Sequence, residues 1–197
     1  MDAPPDLAAM SLAEVARALA EQRLPPVERW NPAHCGDSDM RIARDGTWFH
    51  QGSPIGRPEM VRLFATILRR EADGGYVLVT PGEKLTIAVD DAPFVAVEVK
   101  SEGSSRDRQL AFRLNTGELV VAGTSNALRF ETRDEACPER LPQAGSRRGP
   151  HPYLHVRSGL EALVARPVYY ELAEMALAET DGAPGVWSGG IFFPMDA

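Results

Sequence analysis

Cysteine is scarce in this chain, with two in 197 residues. Two thiols cannot build the disulfide framework that small secreted domains use, so a reducing compartment is the simpler expectation. Long apolar runs are missing as well. No stretch nears the ~18 consecutive apolar residues of a membrane-spanning helix. Asp2 and Asp6 stand where a secretion signal would carry its cationic start. The expected location is therefore the cytoplasm. A basic excess is also lacking: 21 lysines and arginines face 28 acids, for a net charge of −7. Such a chain has no broad positive face for a nucleic-acid polymer or an anionic membrane, and neither is expected as a partner.

The common catalytic signatures are absent too. His34, Cys35, Cys137, His151 and His155 show no C-x-x-C pair and no H-E-x-x-H helix, and Pro152 argues against a helix across the last two histidines. No G-x-S-x-G elbow presents a serine. No metal, no cofactor and no catalytic residue are expected, and an enzyme is disfavoured.

What is present is ordinary globular composition, 44% apolar and 25% charged. The length is about 1.3 times a typical ~150-residue domain, which fits one large or two small domains. Residues 1–29 read as an arm and a helix. Ser11-Leu12-Ala13-Glu14 has the form of a capping box, Leu12, Val15, Ala16 and Leu19 mark one face, and Pro25-Pro26 ends the helix. Met40–Arg44 and Thr47–His50 flank Asp45-Gly46 and predict a tight hairpin with positive φ at both central residues. Pro58 suits the first position of a helix, and Met60, Leu63, Phe64, Ile67 and Leu68 carry its buried stripe until Asp73-Gly74-Gly75. Strands are expected at 76–79, 85–89, 94–99, 110–114, 119–122 and 127–131. Residues 133–150, rich in proline and glycine, read as a long exposed loop. A strand near 153–156, a helix near 167–177 and a last strand over 186–193 follow. Residues 160–164 fit strand or helix equally.

The sequence repeats a motif. Residues 55–68 align without a gap on residues 164–177, placing Arg57-Pro58 over Arg166-Pro167 and the leucines of both helices in register. Asp73-Gly74 and Asp181-Gly182 then close each helix, and a strand follows each. The expectation is a duplication with a seam between halves, where pockets tend to form. Arg57 and Arg166 each begin a helix, where a cation is mildly disfavoured. An internal acid such as Asp45, Glu83, Asp90 or Asp91 would repair this, and so would an anionic ligand shared with the helix amides.

Other features have plainer readings. Thr80-Pro81-Gly82-Glu83-Lys84 lacks the glycine spacing of a phosphate loop and suits a strand-to-strand turn. Asp90-Asp91 suits a turn, because adjacent acids on a strand face opposite ways. Ser146-Arg147-Arg148 reads as solvated loop. Trp30, Trp48 and Trp187 read as core or pocket wall.

Taken together, several segments resemble one bacterial family, domain-of-unknown-function family 1285. They are Asn31-Pro32 with Cys35-Gly36, Arg41–Phe49, Gly52–Arg57, Leu63-Phe64, Leu78–Lys84, Val89–Phe94, Leu160–Leu163, Arg166 and Tyr170–Leu172. The resemblance implies a two-domain α+β protein built by duplication, the halves being residues 30–95 and 96–197. Each would be a largely antiparallel sheet with one packed helix, and the C-terminal half would be pleckstrin-homology-like. It also implies an interface pocket for a nucleotide-like ligand and a role in signalling. The expected site is Asp45, Trp48, Arg57, Thr80, Glu83, Lys84 and Arg166, with the cations meeting phosphate and Trp48 as an apolar wall. The alternative is a protein–protein adaptor.

Overall fold

In the computed structural model, the structure describes residues 7, 10–135, 147–178 and 183–195. The N-terminal helix α1 (Leu12–Glu21) begins at the expected capping box. Ser11 Oγ accepts from the Glu14 amide at 3.3 Å, and Glu14 Oε2 accepts from the Ser11 amide at 2.7 Å. Its inward face is small: Val15 is buried with Leu7 and Ala111, and Leu19 packs beside them.

The first half runs from β1 (His34–Ile42) through β2 (Trp48–His50), β3 (Ser53–Pro54), α2 (Pro58–Thr66), β4 (Leu68–Arg70) and β5 (Tyr76–Val79) to β6 (Glu83–Val89). Its sheet has the order β3-β2-β1-β6-β5-β4, antiparallel except where β1 and β6 run parallel. The second half holds β7 (Phe94–Glu102), β8 (Gln109–Leu114), β9 (Leu119–Val121), β10 (Leu128–Glu135), β11 (Arg147–Arg157) and β12 (Leu160–Val164). Its order is β10-β11-β12-β7-β8-β9, again with one parallel pair, β7 with β12. Both halves are two three-stranded meanders joined by parallel pairing of the first strand with the last. The duplication therefore lies in the sheets. After β12 come α3 (Arg166–Ala178) and a hairpin of β13 (Gly185–Ser188) and β14 (Ile191–Pro194). A six-stranded, mostly antiparallel sheet followed by one helix is consistent with a pleckstrin-homology-like half.

Several expectations shift in detail. α2 sits between the third and fourth strands of its sheet, whereas α3 follows the last strand of the other. The Arg-Pro helices are thus alike in sequence but occupy different places in the topology. Leu68 leaves the helical stripe and opens β4, because the chain leaves the helix at Ile67, whose amide reaches back to Phe64. At residues 45–46 only Gly46 has positive φ, +84°. The Gly46 amide donates to Ala43 and the Ala43 amide to Thr47, which makes a three-residue loop with a glycine bulge. Turns with two positive φ values occur instead at Gln51-Gly52, Ser158-Gly159 and Gly189-Gly190. Residues 133–135 and 147–150 belong to strands rather than loop; residues 136–146 lie outside the described ones. Residues 160–164 form a strand, and residues 186–193 form two strands about the Gly189-Gly190 turn. Asp181-Gly182 lies outside the described residues.

One core joins the halves. Ile42, Trp48, Leu68 and Ile87 from the first sheet belong to the same buried cluster as Phe94, Phe112, Leu154 and Leu172. A smaller cluster of Val27, Val77 and Val79 lies on the outer face of the first sheet. There Arg69, 7% exposed, donates to the carbonyls of Val27 at 2.9 Å and Trp30 at 2.8 Å, and pairs with Glu71 at 2.6 Å. Nη1 serves both carbonyls, while Nε and Nη2 meet Glu71. The linker from α1 is thereby held against the first half.

Candidate functional site

The residues expected to form a site are not gathered in one place. Trp48 is 1% exposed, and its ring stacks on Phe64 with centroids 6.3 Å apart. It is core, and its indole Nε1 has no hydrogen-bond partner among the described residues. Asp45 is exposed in the β1–β2 loop, where its carboxylate accepts the Thr47 amide at 2.9 Å. That amide and the Thr47 hydroxyl hold its pKa below the usual carboxylate range. Thr80 closes the β5–β6 turn, its hydroxyl accepting the amides of Gly82 and Glu83 at 3.3 and 3.2 Å. Glu83 is exposed, and Lys84 pairs with Glu71 at 3.3 Å.

Register separates these groups. Lys84 lies beside Cys35 at the start of β1, and Val89 beside Ile42 at its end. Five residue steps of β6 separate them, about 16 Å at ~3.3 Å each. Asp45 lies beyond the far end. Arg57 is exposed at the N-cap of α2, and among the described residues no acid pairs with it. Asp90 is taken by Arg41 at 2.5 Å and Asp91 by Arg44 at 3.2 Å. Arg166 opens α3 and is exposed.

The seam itself is built by other residues. Asp91, in the link between the sheets, accepts from Tyr153 Oη at 2.7 Å as well as pairing with Arg44. Arg44 also donates to His151 Nδ1 at 2.6 Å. On the same face Arg129 holds Glu161 with two bonds of 2.8 Å and lies over the Tyr153 ring at 4.3 Å. The Arg129 hydrogen bonds pull the Glu161 pKa down. Burial pushes the Tyr76 phenol up beside them. Arg70 bridges from the first half to the Gly159 carbonyl at 3.1 Å. Every cation here has an acid, a carbonyl or an imidazole nitrogen to meet, so this layer is a glue and presents no open chemistry. His155 is similarly spent: Nδ1 donates to the Ser125 carbonyl at 2.9 Å, and Nε2 accepts the Gly159 amide at 3.3 Å. Among the described residues no His, Cys, Asp and Glu cluster is placed to hold a metal.

The open space lies at another part of the seam. A cleft of about 460 Å³ is bounded by the end of α1, the last turn of α2 and the β8–β9 turn. It therefore touches the linker, the first half and the second half. Ala18, Leu24, Ala65 and Leu119 supply apolar wall; Arg23 and Arg62 supply cations. Both arginines are exposed, and neither forms an ion pair among the described residues. Glu21 sits on the rim. Glu118, also in the wall, is occupied by Arg157, whose Nη1 lies 2.5 Å from both its oxygens. Thr116 lines the cleft as well, and its buried hydroxyl has no partner among the described residues. Two smaller hollows, about 290 and 180 Å³, adjoin it, and Leu24 is a wall of all three.

None of the expected site residues lines this cleft. Arg23 and Arg62 carry no motif, since one follows a helix and the other is an ordinary outward position on α2. Only the packing of α1 and the β8–β9 turn around α2 brings them together. Twin six-stranded sheets of one topology, sharing a core and a seam, define a duplicated two-domain α+β protein. The chain belongs to the DUF1285 family: the N-terminal domain of unknown function matches residues 25–92 and the C-terminal domain residues 93–195. It is similar to the crystal structure of a DUF1285 family protein from Silicibacter pomeroyi DSS-3, at 48% identity over 94% of each chain and a TM-score of 0.75. A DUF1285 family protein from Shewanella baltica OS155 shares the fold at 23% identity, covering 69% of this chain and 91% of that one, with a TM-score of 0.50. No curated protein matches the chain.

Proposed function

We propose that the protein is a non-enzymatic binding module that takes a small anionic ligand in the cleft between α1, α2 and the β8–β9 turn, and passes its occupancy on as a signal. The observation that carries this reading is the pair Arg23 and Arg62, two cations without ion-pair partners among the described residues, at a 460 Å³ seam cleft. A cleft of that size is within the range of small-molecule sites, and apolar walls with a few polar groups are their usual composition. A guanidinium pair recognises carboxylate or phosphate through paired N–H donors. Placement between two halves and a linker lets one ligand change how all three pack. The setting we assign is the cytoplasm; no helix among the described residues is long and apolar enough to cross a membrane.

The test is a thermal-shift screen over nucleotides, phosphate esters and carboxylates, followed by titration of hits against Arg62→Met. A ligand at 100 times its Kd adds about 2.7 kcal/mol to stability. Stabilisation that Arg62→Met removes is the expected result; no shift from any anion at millimolar concentration would sink the reading. A second reading, a protein adaptor, draws on the exposed Leu63 of α2 and Tyr170 and Leu177 of α3, which are 62, 61 and 77% exposed. A stoichiometric protein partner together with an empty ligand screen would favour it.

A further inference from the structure

Resting on that reading, we infer that the ligand class is a straight-chain carboxylate whose head lies between Arg23 and Arg62 and whose tail runs past Leu24. The first ground is what the walls lack. Among the described residues no aromatic side chain lines the cleft or either adjoining hollow. A nucleobase stacks best on an aromatic ring, and the guanidinium planes of the cleft, Arg23 and Arg62, are the groups a carboxylate head would take. Arg157, the one arginine of the two smaller hollows, already lies over the Phe94 ring at 5.2 Å and is locked to Glu118. The second ground is charge. Two arginines without ion-pair partners among the described residues, with Glu21 in the same lining, suit one negative charge better than a chain of phosphates.

The third ground is shape. The 180 Å³ hollow shares Leu24 and Thr66 with the head chamber, and Pro25, Pro26, Val27, Leu68 and Leu160 form its apolar side. That apolar side is the wall a methylene chain would lie along; Glu28, Arg157 and Ser158 complete the lining. Leu24, 36% exposed, is the partition between head and tail. Thr116 adds an orphaned hydroxyl to the head chamber wall.

The test measures binding of hexanoate, octanoate, decanoate and dodecanoate by calorimetry, below their micelle concentrations, beside AMP and ATP. Each methylene drawn out of water should tighten Kd about three- to four-fold. Leu24→Asp should flatten that series. Arg62→Met should weaken every member by a similar factor and leave the slope in place. Leu177→Ser, on the remote surface of α3, should change nothing. Carboxylates that bind with no dependence on length would overturn the tail. A series flattened by Leu177→Ser would mean surface adsorption and also overturn it. Nucleotide binding without carboxylate binding would overturn the ligand class while leaving the cleft's function standing. Silence from every anion would remove both.

Discussion

Glu161 shows how the seam sets the acid side of this protein's stability. Its carboxylate receives two hydrogen bonds from Arg129, which lower its pKa and outweigh the partial burial that would raise it. Glu71 reaches the same direction from the opposite start. Burial alone would raise it, and Arg69 and Lys84 together more than reverse that. A carboxylate whose pKa is lower folded than unfolded contributes stability that is fully present above the unfolded value, about 4.5. That contribution fades as pH falls through the folded value, because the unfolded chain takes up the proton first. Denaturant midpoints measured from pH 6 to pH 3 should therefore drop below about pH 4.5. Glu161→Gln should start lower at pH 6 and lose less on acidification. Parallel curves for the two proteins would show that Glu161 is not linked to folding. His151, weighed for zinc in the sequence, turns out to accept a hydrogen bond from Arg44; a ring nitrogen's partner across 107 positions leaves no local trace.

Turns and caps are the elements where local chemistry speaks most directly. Ser11 and Glu14 form their box because both members lie within one helical turn. The Asp45-Gly46 loop was legible as a hairpin, and its type was not. The loop closes over three residues because Gly46 must also meet the second half. A Cβ on Gly46 would come 2.5 Å from Asn115 Nδ2 and 3.0 Å from Val95, and Asn115 donates to the Gly46 carbonyl at 3.3 Å. Gly46→Ala should cost about 1–3 kcal/mol for the left-handed backbone, with the crowding at Asn115 added to it. Pairing it with Asn115→Ala should recover part of that loss in a double-mutant cycle. Full additivity would mean that the loop does not press on the second half. The strand β4 escaped notice for a related reason. Leu68 continues the apolar spacing of α2, and periodicity alone cannot see a helix end that Phe64 and Ile67 settle by one hydrogen bond.

At the scale of the molecule, the two halves share a core and should unfold together. Arg157 is the clearest tie. It reaches from β11 to Glu118 before β9, to the Ala65 carbonyl in α2 at 2.9 Å, and across the Phe94 ring. Its side chain is 19% exposed and that of Glu118 13%. Removing one member of a fully buried pair costs about 3–5 kcal/mol. With this residual exposure Arg157→Met should cost about 2–3 kcal/mol, read as a shifted denaturant midpoint in a single transition. Two resolved transitions in the parent protein, or a shift under 0.5 kcal/mol, would show that the halves are coupled elsewhere. The sequence suggested a duplication through its two Arg-Pro helices, which are not equivalent in the fold. The deeper repeat, two sheets of one topology, was not visible there, because those helices occupy different places around them.

By itself the sequence determined the features that neighbours along the chain control. These are the capping box, the hairpins, the strand-rich middle and the lack of an apolar run long enough to span a membrane. Each depends on residues a few positions apart, whose hydrogen bonds and periodicity are set before any long-range contact forms. Tertiary structure alone decided which strands run parallel, that Trp48 is core, and that Lys84 is spent on Glu71. It also put Arg23 and Arg62, rather than Arg57 and Lys84, in the wall of the cleft. Parallel pairing of β1 with β6 holds Asp45 and Lys84 at opposite ends of one sheet. The packing of α1, α2 and the β8–β9 turn closes the cleft. Those are contacts between positions tens of residues apart, and no local pattern of residue types encodes a distance of that kind.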